Sequence, residues 1–317
     1  MTTAVATSGV AVTADELIQL HRDAKLLGLS LPAKRLATHS GGHLSPFRGR
    51  GVEFAEVRAY QPGDDVRTID WRVTARTGQA YTKLFREERE RPVFILVDQS
   101  SHMVFGTRVA FKSVVAARAA MMLAWATHDR GDRVGGLVFN EAQHLEVRPS
   151  RSQRSVLQLA HSLAAQRLPP IDVETIPWLT ALERAARLAK PGSLVVLISD
   201  FYRPVAAAER YLALLRRHCD LVFIFTYDAL EAESPPPNRY RITDGRHLLL
   251  MDTANDTFRS QYRDAFVARR EFMRELTQRQ RTSFIELATH DDNAKTLRQG
   301  FGHAASHRRA AISRHDS

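Results

Sequence analysis

The sequence predicts an α/β fold, a doubly wound and mostly parallel sheet with helices on both faces, preceded by an N-terminal α+β extension. Two observations lead to this prediction. Strand-like and helix-like segments alternate from Val93 onward, and the segments Val93–Val97 and Leu194–Ile198 are apolar throughout, as strands covered on both faces are. The 317 residues, 44% of them hydrophobic, suffice for one large domain or two unequal ones.

The N-terminal third contains the extension. Thr13 to Leu29 has apolar residues at helical spacing after a capping-box pattern, which predicts one amphipathic helix. Asp64 or Asp65 is expected to cap a short helix that Gly78 ends, and alternating residues predict a strand from Tyr81 onward.

The remaining elements are predicted from the spacing of apolar residues and from the length of each segment. The predicted helices are Arg108–Thr127, Ser152–Ala165, Ile176–Ala189, Val205–His218 and Asn255–Gln280. The predicted strands are Val93–Val97, Arg133–Phe139, Gln143–Val147, Leu194–Ile198, Leu221–Phe225 and Ser283–Leu287, with a hairpin over Arg239–Leu250.

Charge and cysteine content limit the possible environments. The net charge of +10 is scattered along the chain, so nucleic-acid binding stays an alternative rather than the main expectation. Cys219 is the single cysteine, which suits a reducing compartment and an inert structural thiol. With neither a secretory signal nor an apolar stretch of membrane-spanning length, we expect a cytoplasmic protein.

Polar residues follow two of the apolar strands. Asp98, Ser100 and His102 come directly after the first strand, and Asp200 follows the strand Leu194–Ile198. In a doubly wound sheet these strands lie side by side where the strand order reverses, and ligands bind there. Hard oxygen donors suit Mg²⁺. The alternative is that the aspartates cap helices and hold loops without a metal.

This pattern resembles the metal-ion-dependent adhesion site of von Willebrand factor A domains. The family motif Asp-x-Ser-x-Ser, followed by a Thr and an Asp, corresponds to Asp98, Ser100, His102, Thr175 and Asp200. The resemblance implies Mg²⁺ or another divalent metal with a position open to a partner's carboxylate. His102 replaces the second serine, and imidazole favours softer ions such as Zn²⁺ or Ni²⁺.

A second resemblance covers the segment upstream of the A-type domain. It is similar to the signature of the bacterial "domain of unknown function 58" family, and the matching residues read Glu53-Phe54-x-Glu56-x-Arg58-x-Tyr60-x-Pro62-Gly63-Asp64-Asp65-x-Arg67-x-Ile69-Asp70-Trp71-Arg72-x-Thr74-Ala75-Arg76. The resemblance implies a MoxR-type AAA+ ATPase and its client protein as partners. The acids and arginines are expected to form an ion-pair network that docks this block onto the A-type domain, or else a partner-binding face.

Together these observations predict four parts. They are an N-terminal helix and loop (1–50), the signature block packed on the core (51–91), a von Willebrand A-like domain (92–290) and a flexible basic tail (291–317). We expect a non-enzymatic adaptor that binds no nucleotide, since no phosphate-binding loop is present. The enzymatic alternative is a metal-dependent phosphoesterase that uses Asp98, His102 and Asp200.

Overall fold

The structure is a computed structural model. It describes residues 8–27, 52–61, 64, 66–87, 91–166, 176–202, 206–243 and 248–302. The chain forms two compact units, one of residues 1–35 and 91–317 and the other of residues 36–90. The larger unit carries the α/β domain.

The elements follow one another in an α/β order after residue 91. In chain order they are α1 (Ala14–Gln19), α2 (His21–Leu27), β1 (Val52–Ala59), α3 (Trp71–Thr77), β2 (Tyr81–Glu87), β3 (Val93–Asp98), α4 (Lys112–Asp129), β4 (Val134–Phe139), β5 (His144–Ser150), α5 (Gln153–Ala164), α6 (Pro177–Leu188), β6 (Leu194–Ser199), α7 (Ala208–Arg216), β7 (Asp220–Tyr227), α8 (Ala229–Ala232), β8 (Arg239–Thr243), β9 (Leu248–Asp252), α9 (Asp256–Arg279), β10 (Ser283–Ala288) and α10 (293–302).

The central sheet has six strands in the order β10-β7-β6-β3-β4-β5. All neighbours are parallel except β5, which pairs antiparallel with β4. The chain leaves β3 toward β4 and β5 and then returns to β6 on the other side of β3. The strand order therefore reverses between β3 and β6, and the predicted doubly wound, mostly parallel sheet is confirmed.

Each face of the sheet has its own hydrophobic core, because successive strand residues point to opposite faces. Val93, Ile95 and Val97 of β3 pack with α4, α5 and the N-terminal helices. Phe94 and Leu96 pack on the other face with α6, α7 and α9. The six residues of β3 are all buried, which explains why the first five, Val93 to Val97, are apolar.

The N-terminal helices belong to the large unit rather than to a separate extension. Thr13 caps α1 by accepting a hydrogen bond from the Glu16 backbone N–H at 3.2 Å. The Glu16 carboxylate pairs with Arg118 of α4 at 2.7 Å, and Leu17 is fully buried in the core beside α4. The single predicted helix breaks between α1 and α2 at Leu20.

The C-terminal segment contributes a helix to the same core. Residues 293–302, expected to be part of a flexible tail, are helical, and the Leu297 and Phe301 side chains are fully buried. The Asn293 side-chain amide donates to the Val115 carbonyl oxygen of α4 at 3.1 Å. A Cβ atom at Gly300 would lie 2.7 Å from the Ile285 side chain, so only glycine allows this approach of α10 to β10. The sequence signal was missed because the helix is short and basic.

The small unit consists of an antiparallel pair, β1 and β2, with α3 beside it. The N-cap of α3 is Asp70 rather than Asp64 or Asp65. Asp64 instead pairs with Arg58 at 2.7 Å and accepts from the Gln61 N–H, which lowers its pKa. The Asp64 N–H in turn donates to the Gln61 carbonyl oxygen at 3.0 Å.

Two other predictions concern α4 and the cysteine. Helix α4 begins at Lys112 and not at Arg108, because residues 104–111 form a loop. Cys219 is buried, and burial raises the pKa of its thiol to about 11, which keeps it neutral and unreactive as expected.

Within the described ranges, the helices are too short or too polar to cross a membrane.

Candidate functional site

The two predicted aspartates lie next to each other at the carboxyl end of the sheet. Asp98 is the last residue of β3, Asp200 follows the adjacent strand β6, and both side chains are buried. The Ser199 hydroxyl donates to Oδ2 of Asp98 at 2.6 Å, and the Ser100 N–H donates to Oδ1 at 2.9 Å. The bond from Ser199 joins the ends of the two strands, and the bond from Ser100 fixes the turn that follows β3.

Asp98 is a carboxyl group that resists ionisation. Burial raises its pKa to about 7, and the neighbouring Asp200 carboxylate adds to the shift. The hydrogen bonds from Ser100 and Ser199 favour the anion and offset only part of this effect. Asp98 therefore keeps its proton to a higher pH than an exposed aspartic acid does.

The chain leaves β6 through a strained residue. Phe201 has φ of 48°, in the left-handed region that a bulky residue rarely adopts. Its N–H donates to the Ser199 hydroxyl at 3.0 Å, and its ring is fully buried against Trp178. Such strain persists where surrounding contacts determine the backbone, and it is frequent at functional sites.

Asp200 is held by a lysine that the sequence did not single out. Lys112, the first residue of α4, is 1% exposed, and its Nζ lies 2.6 Å from Oδ2 of Asp200. Burial alone would raise the pKa of Asp200, but the Lys112 ammonium lowers it to about 2 with help from Arg269 and His102. Burial alone would likewise lower the pKa of Lys112, but Asp200 and Glu231 raise it. The pair is therefore fully ionic.

Two further charges complete this arrangement. Glu231 of α8 accepts from Lys112 Nζ at 2.9 Å and from Arg269 Nη2 at 3.1 Å through Oε1. Arg269 Nη1 also lies 4.0 Å from Oδ2 of Asp200. We call Asp200, Glu231, Lys112 and Arg269 the charge cluster. It contains two carboxylates and two cations, so its formal charge is zero.

Asp228 anchors the loop that leads into Lys112. It is buried, follows β7, and accepts from the hydroxyls of Thr107 at 2.6 Å and Thr289 at 2.5 Å. Burial opposes these hydrogen bonds, yet they lower the pKa of Asp228. The loop 104–111 is thereby fixed to the end of β7.

His102 does not join Asp98 and Asp200 in one ligand set. Its ring stacks on Tyr202 with 4.3 Å between centroids, and its Nε2 lies 4.0 Å from Oε1 of Glu141. The Glu141 oxygen accepts instead from the N–H and the hydroxyl of Ser101, at 2.8 and 2.6 Å. We call His102 and Tyr202 the mouth pair. Tyr202 is 41% exposed and the His102 side chain is 20% exposed.

Two buried oxygens have no hydrogen-bond partner among the described residues. They are the Ser100 hydroxyl and Oε2 of Glu141. A free hydroxyl at Ser100 is what a metal-binding A-type site would require. The remaining predicted ligand, Thr175, lies outside the described residues.

The donors around Asp200 do not fit a divalent cation. Lys112 already places one positive charge on Oδ2 of Asp200, where a metal would be bound directly or through water. Oδ1 of Asp200 accepts from the Tyr202 N–H at 3.0 Å. Lys112 and Arg269 already neutralise the two carboxylates of the charge cluster, so a divalent cation there would add uncompensated positive charge in a site that water screens poorly. Over the part of the chain that is described, no three His, Cys, Asp or Glu side chains converge as a metal site would need.

The site residues that the sequence did not predict are contact partners of the aspartates that it did predict. Lys112, Ser199, Glu231 and Arg269 all contact Asp98, Asp200 or each other. One signal was available: Lys112 is the single charged residue between Arg108 and Arg118, in a stretch that is mostly apolar. A lysine in such a stretch is buried only when it is paired.

Comparison with known proteins gives relatives that are themselves uncharacterized. The uncharacterized protein Rv1480 of Mycobacterium tuberculosis is 30% identical over 211 residues, which cover 67% of this chain. The match spans 66% of that relative's own length, slightly under two thirds. The uncharacterized protein YeaD of Bacillus subtilis is 38% identical over 68 residues, 22% of this chain and 16% of its own.

Solved structures with a similar fold have low sequence identity to this chain. The hypothetical protein BatB of Bacteroides thetaiotaomicron has a TM-score of 0.42 at 16% identity, over 68% of this chain and 99% of its own. A von Willebrand factor type A protein of Catenulispora acidiphila has a TM-score of 0.37 at 14% identity, over 71% of this chain and 43% of its own.

The family comparison covers more than half of the chain. Residues 56–272, from the signature block through most of α9, match the family described as "Protein of unknown function DUF58". This match confirms the resemblance that the residues between Glu53 and Arg76 indicated. The chain therefore belongs to the DUF58 family.

Proposed function

We propose that this protein is a non-enzymatic interaction module, an adaptor that binds another protein at the carboxyl end of its sheet. The observation that carries the proposal is a contrast between two groups of side chains. Asp200 and Lys112 are buried and paired with each other and with the half-buried Glu231, whereas Tyr202 of the mouth pair is 41% exposed. This arrangement favours surface recognition over bond-making.

The burial of the acids weakens the phosphoesterase alternative. A general acid or base must come within hydrogen-bonding distance of its substrate. Asp98, Asp200 and Lys112 are each at most 1% exposed, and both carboxylates already accept hydrogen bonds. A substrate could reach them only if loops at both strand ends opened.

The mouth pair has the properties of a recognition surface. Tyrosine is enriched at protein interfaces because it offers a large rigid ring with a polar end. The backbone of Tyr202 is fixed by two hydrogen bonds, since its N–H donates to Asp200 and its carbonyl oxygen accepts from Trp178 Nε1 at 3.1 Å, and its ring stacks on His102. A rigid aromatic group binds with little loss of conformational entropy.

For the partner, we propose a MoxR-type AAA+ ATPase together with its client protein. This part rests on the resemblance of the signature block to its family. The net charge of +10 favours partners with acidic surfaces, since charge complementarity speeds and orients association. We place this activity in the cytoplasm, where ATP is available to drive such a partner.

The test is direct binding to the purified ATPase, with wild type and Tyr202→Ala compared by surface plasmon resonance in the presence of a slowly hydrolysed ATP analogue. The substitution keeps both backbone hydrogen bonds and removes only the ring. We expect Tyr202→Ala to weaken binding at least about tenfold, as loss of a central interface aromatic does.

The control is Tyr240→Ala, a half-exposed tyrosine on β8. Tyr240→Ala should bind like wild type. Equal binding by wild type and Tyr202→Ala would contradict the proposed surface, and no binding by wild type would contradict the proposed partner.

A further inference from the structure

The position of Lys112 suggests how this A-type site works without a metal. The ammonium sits where the ends of β6, α8 and the start of α4 converge, and it contacts a carboxylate from each of the first two. Asp200 is the residue that this contact shares with the adhesion-site motif, so the ammonium lies on the carboxylate through which a divalent cation at that motif would hold the end of β6.

The chemistry of the ammonium explains how Lys112 can take the place of a divalent cation. Lysine offers three N–H donors and one positive charge on a flexible stem. Two of the donors are used on Asp200 and Glu231, at 2.6 and 2.9 Å. Since Arg269 supplies the second positive charge, the two carboxylates are neutralised without any bound ion.

The location of Lys112 in its helix also indicates that its positive charge has a role. A cation at the first residue of a helix is electrostatically unfavourable, because the N-terminal end of a helix carries partial positive charge. Full burial adds a desolvation cost. Lys112 adopts this position only because the two carboxylates compensate both costs. The charge therefore has a role that an apolar residue at this position could not supply.

We propose that Lys112 is a built-in replacement for the divalent cation, so that the carboxyl end of the sheet is assembled without metal. The proposal concerns the site itself and stands whether or not the ATPase binds.

The experiment uses the full chain, stripped of metal with a chelator and then titrated with Mg²⁺ and Mn²⁺ by isothermal titration calorimetry and thermal unfolding. Wild type should bind neither ion at millimolar concentration, and its Tm should not change on adding metal or chelator. Saturable binding to wild type that Asp200→Asn abolishes would overturn the proposal.

The decisive variant is Lys112→Met, which keeps the length of the side chain and removes its charge. It should unfold at lower temperature without metal. It should then recover about 5 °C or more in Tm when Mn²⁺ is present in large excess over its Kd. Lys112→Gln is the second variant if the methionine protein does not fold.

The matched control is Arg118→Met, which removes a cation from the same helix where it pairs with Glu16. Its Tm should fall without any response to metal. If Lys112→Met and Lys112→Gln fold and neither responds to Mg²⁺ or Mn²⁺, the ammonium does not occupy a cation position and the proposal is wrong.

Discussion

The Ser199 hydroxyl donates a hydrogen bond of 2.6 Å to the Asp98 carboxyl, and this contact joins the ends of the two strands between which the sheet reverses its order. The same hydroxyl accepts from the N–H of Phe201. One small side chain therefore supports a buried acid and a strained backbone at once.

Ser199→Ala should lower the free energy of unfolding by about 1–3 kcal/mol, because Oδ2 of Asp98 and the Phe201 N–H would both lose a buried partner. Urea denaturation measures this difference. Ser260→Ala removes a hydroxyl that bonds only the exposed Asp264, and it should change stability by less than about 0.5 kcal/mol. Equal effects of the two substitutions would show that the Ser199 contact is dispensable.

The pKa of Asp98 predicts an unusual dependence of stability on pH. In the folded state the carboxyl keeps its proton up to about pH 7, whereas the ordinary value for the unfolded chain is 3.8. The unfolded state therefore releases this proton first, and the Asp98 contribution falls as pH rises from about 4 to about 7. The slope is at most roughly 1.4 kcal/mol per pH unit.

Asp98→Asn cannot ionise and should lose this part of the pH dependence. Urea denaturation at several pH values between about 4.5 and 7.5 would measure the slopes for both proteins. Asp15→Asn, an exposed acid in α1, should keep the slope of wild type. If Asp98→Asn follows wild type across this range, Asp98 is ionised in the folded protein and the raised pKa is wrong.

Leu17 links the N-terminal helices to the core. Its side chain is fully buried, and its carbonyl oxygen accepts from Trp125 Nε1 at 3.3 Å. Leu17→Ala should cost about 2–5 kcal/mol in the free energy of unfolding, as cavities in packed cores do. Lys25→Ala, at an exposed position of α2, is the control for thermal unfolding. A wild-type Tm for Leu17→Ala would mean that α1 is not part of the folded domain.

Leu297 tests the C-terminal helix in the same way. Leu297→Ala should destabilise the protein by about 2–5 kcal/mol, since its side chain is fully buried in the core beside α4. The neighbouring Arg298 is exposed, so Arg298→Ala should leave the Tm within a degree or two of wild type. Similar Tm values for both variants would restore the interpretation of this segment as a flexible tail.

The strand ends could be predicted from the sequence because strands that are buried on both faces consist of uninterrupted apolar residues. The apolar runs that become β3 and β6 end in Asp98 and Ser199-Asp200, so the adjacency of the acids followed from the order of strands.

The partners of those acids could not be found in this way. Lys112 and Glu231 are separated by more than a hundred residues in the sequence, and no local period relates them. The A-type motif directed attention to His102 as a ligand, but its ring stacks on Tyr202. Side-chain pairing between distant elements depends on packing that a linear pattern does not record.

The core beside α4 is completed by residues from both ends of the chain. Leu17 and Ala24 cover it from the N-terminal side, and Leu297 and Phe301 cover it from the C-terminal side. During synthesis the apolar face of α4 would stay partly open until residues 293–302 have left the ribosome. Such late closure slows folding and leaves apolar surface exposed on the nascent chain until this helix is available.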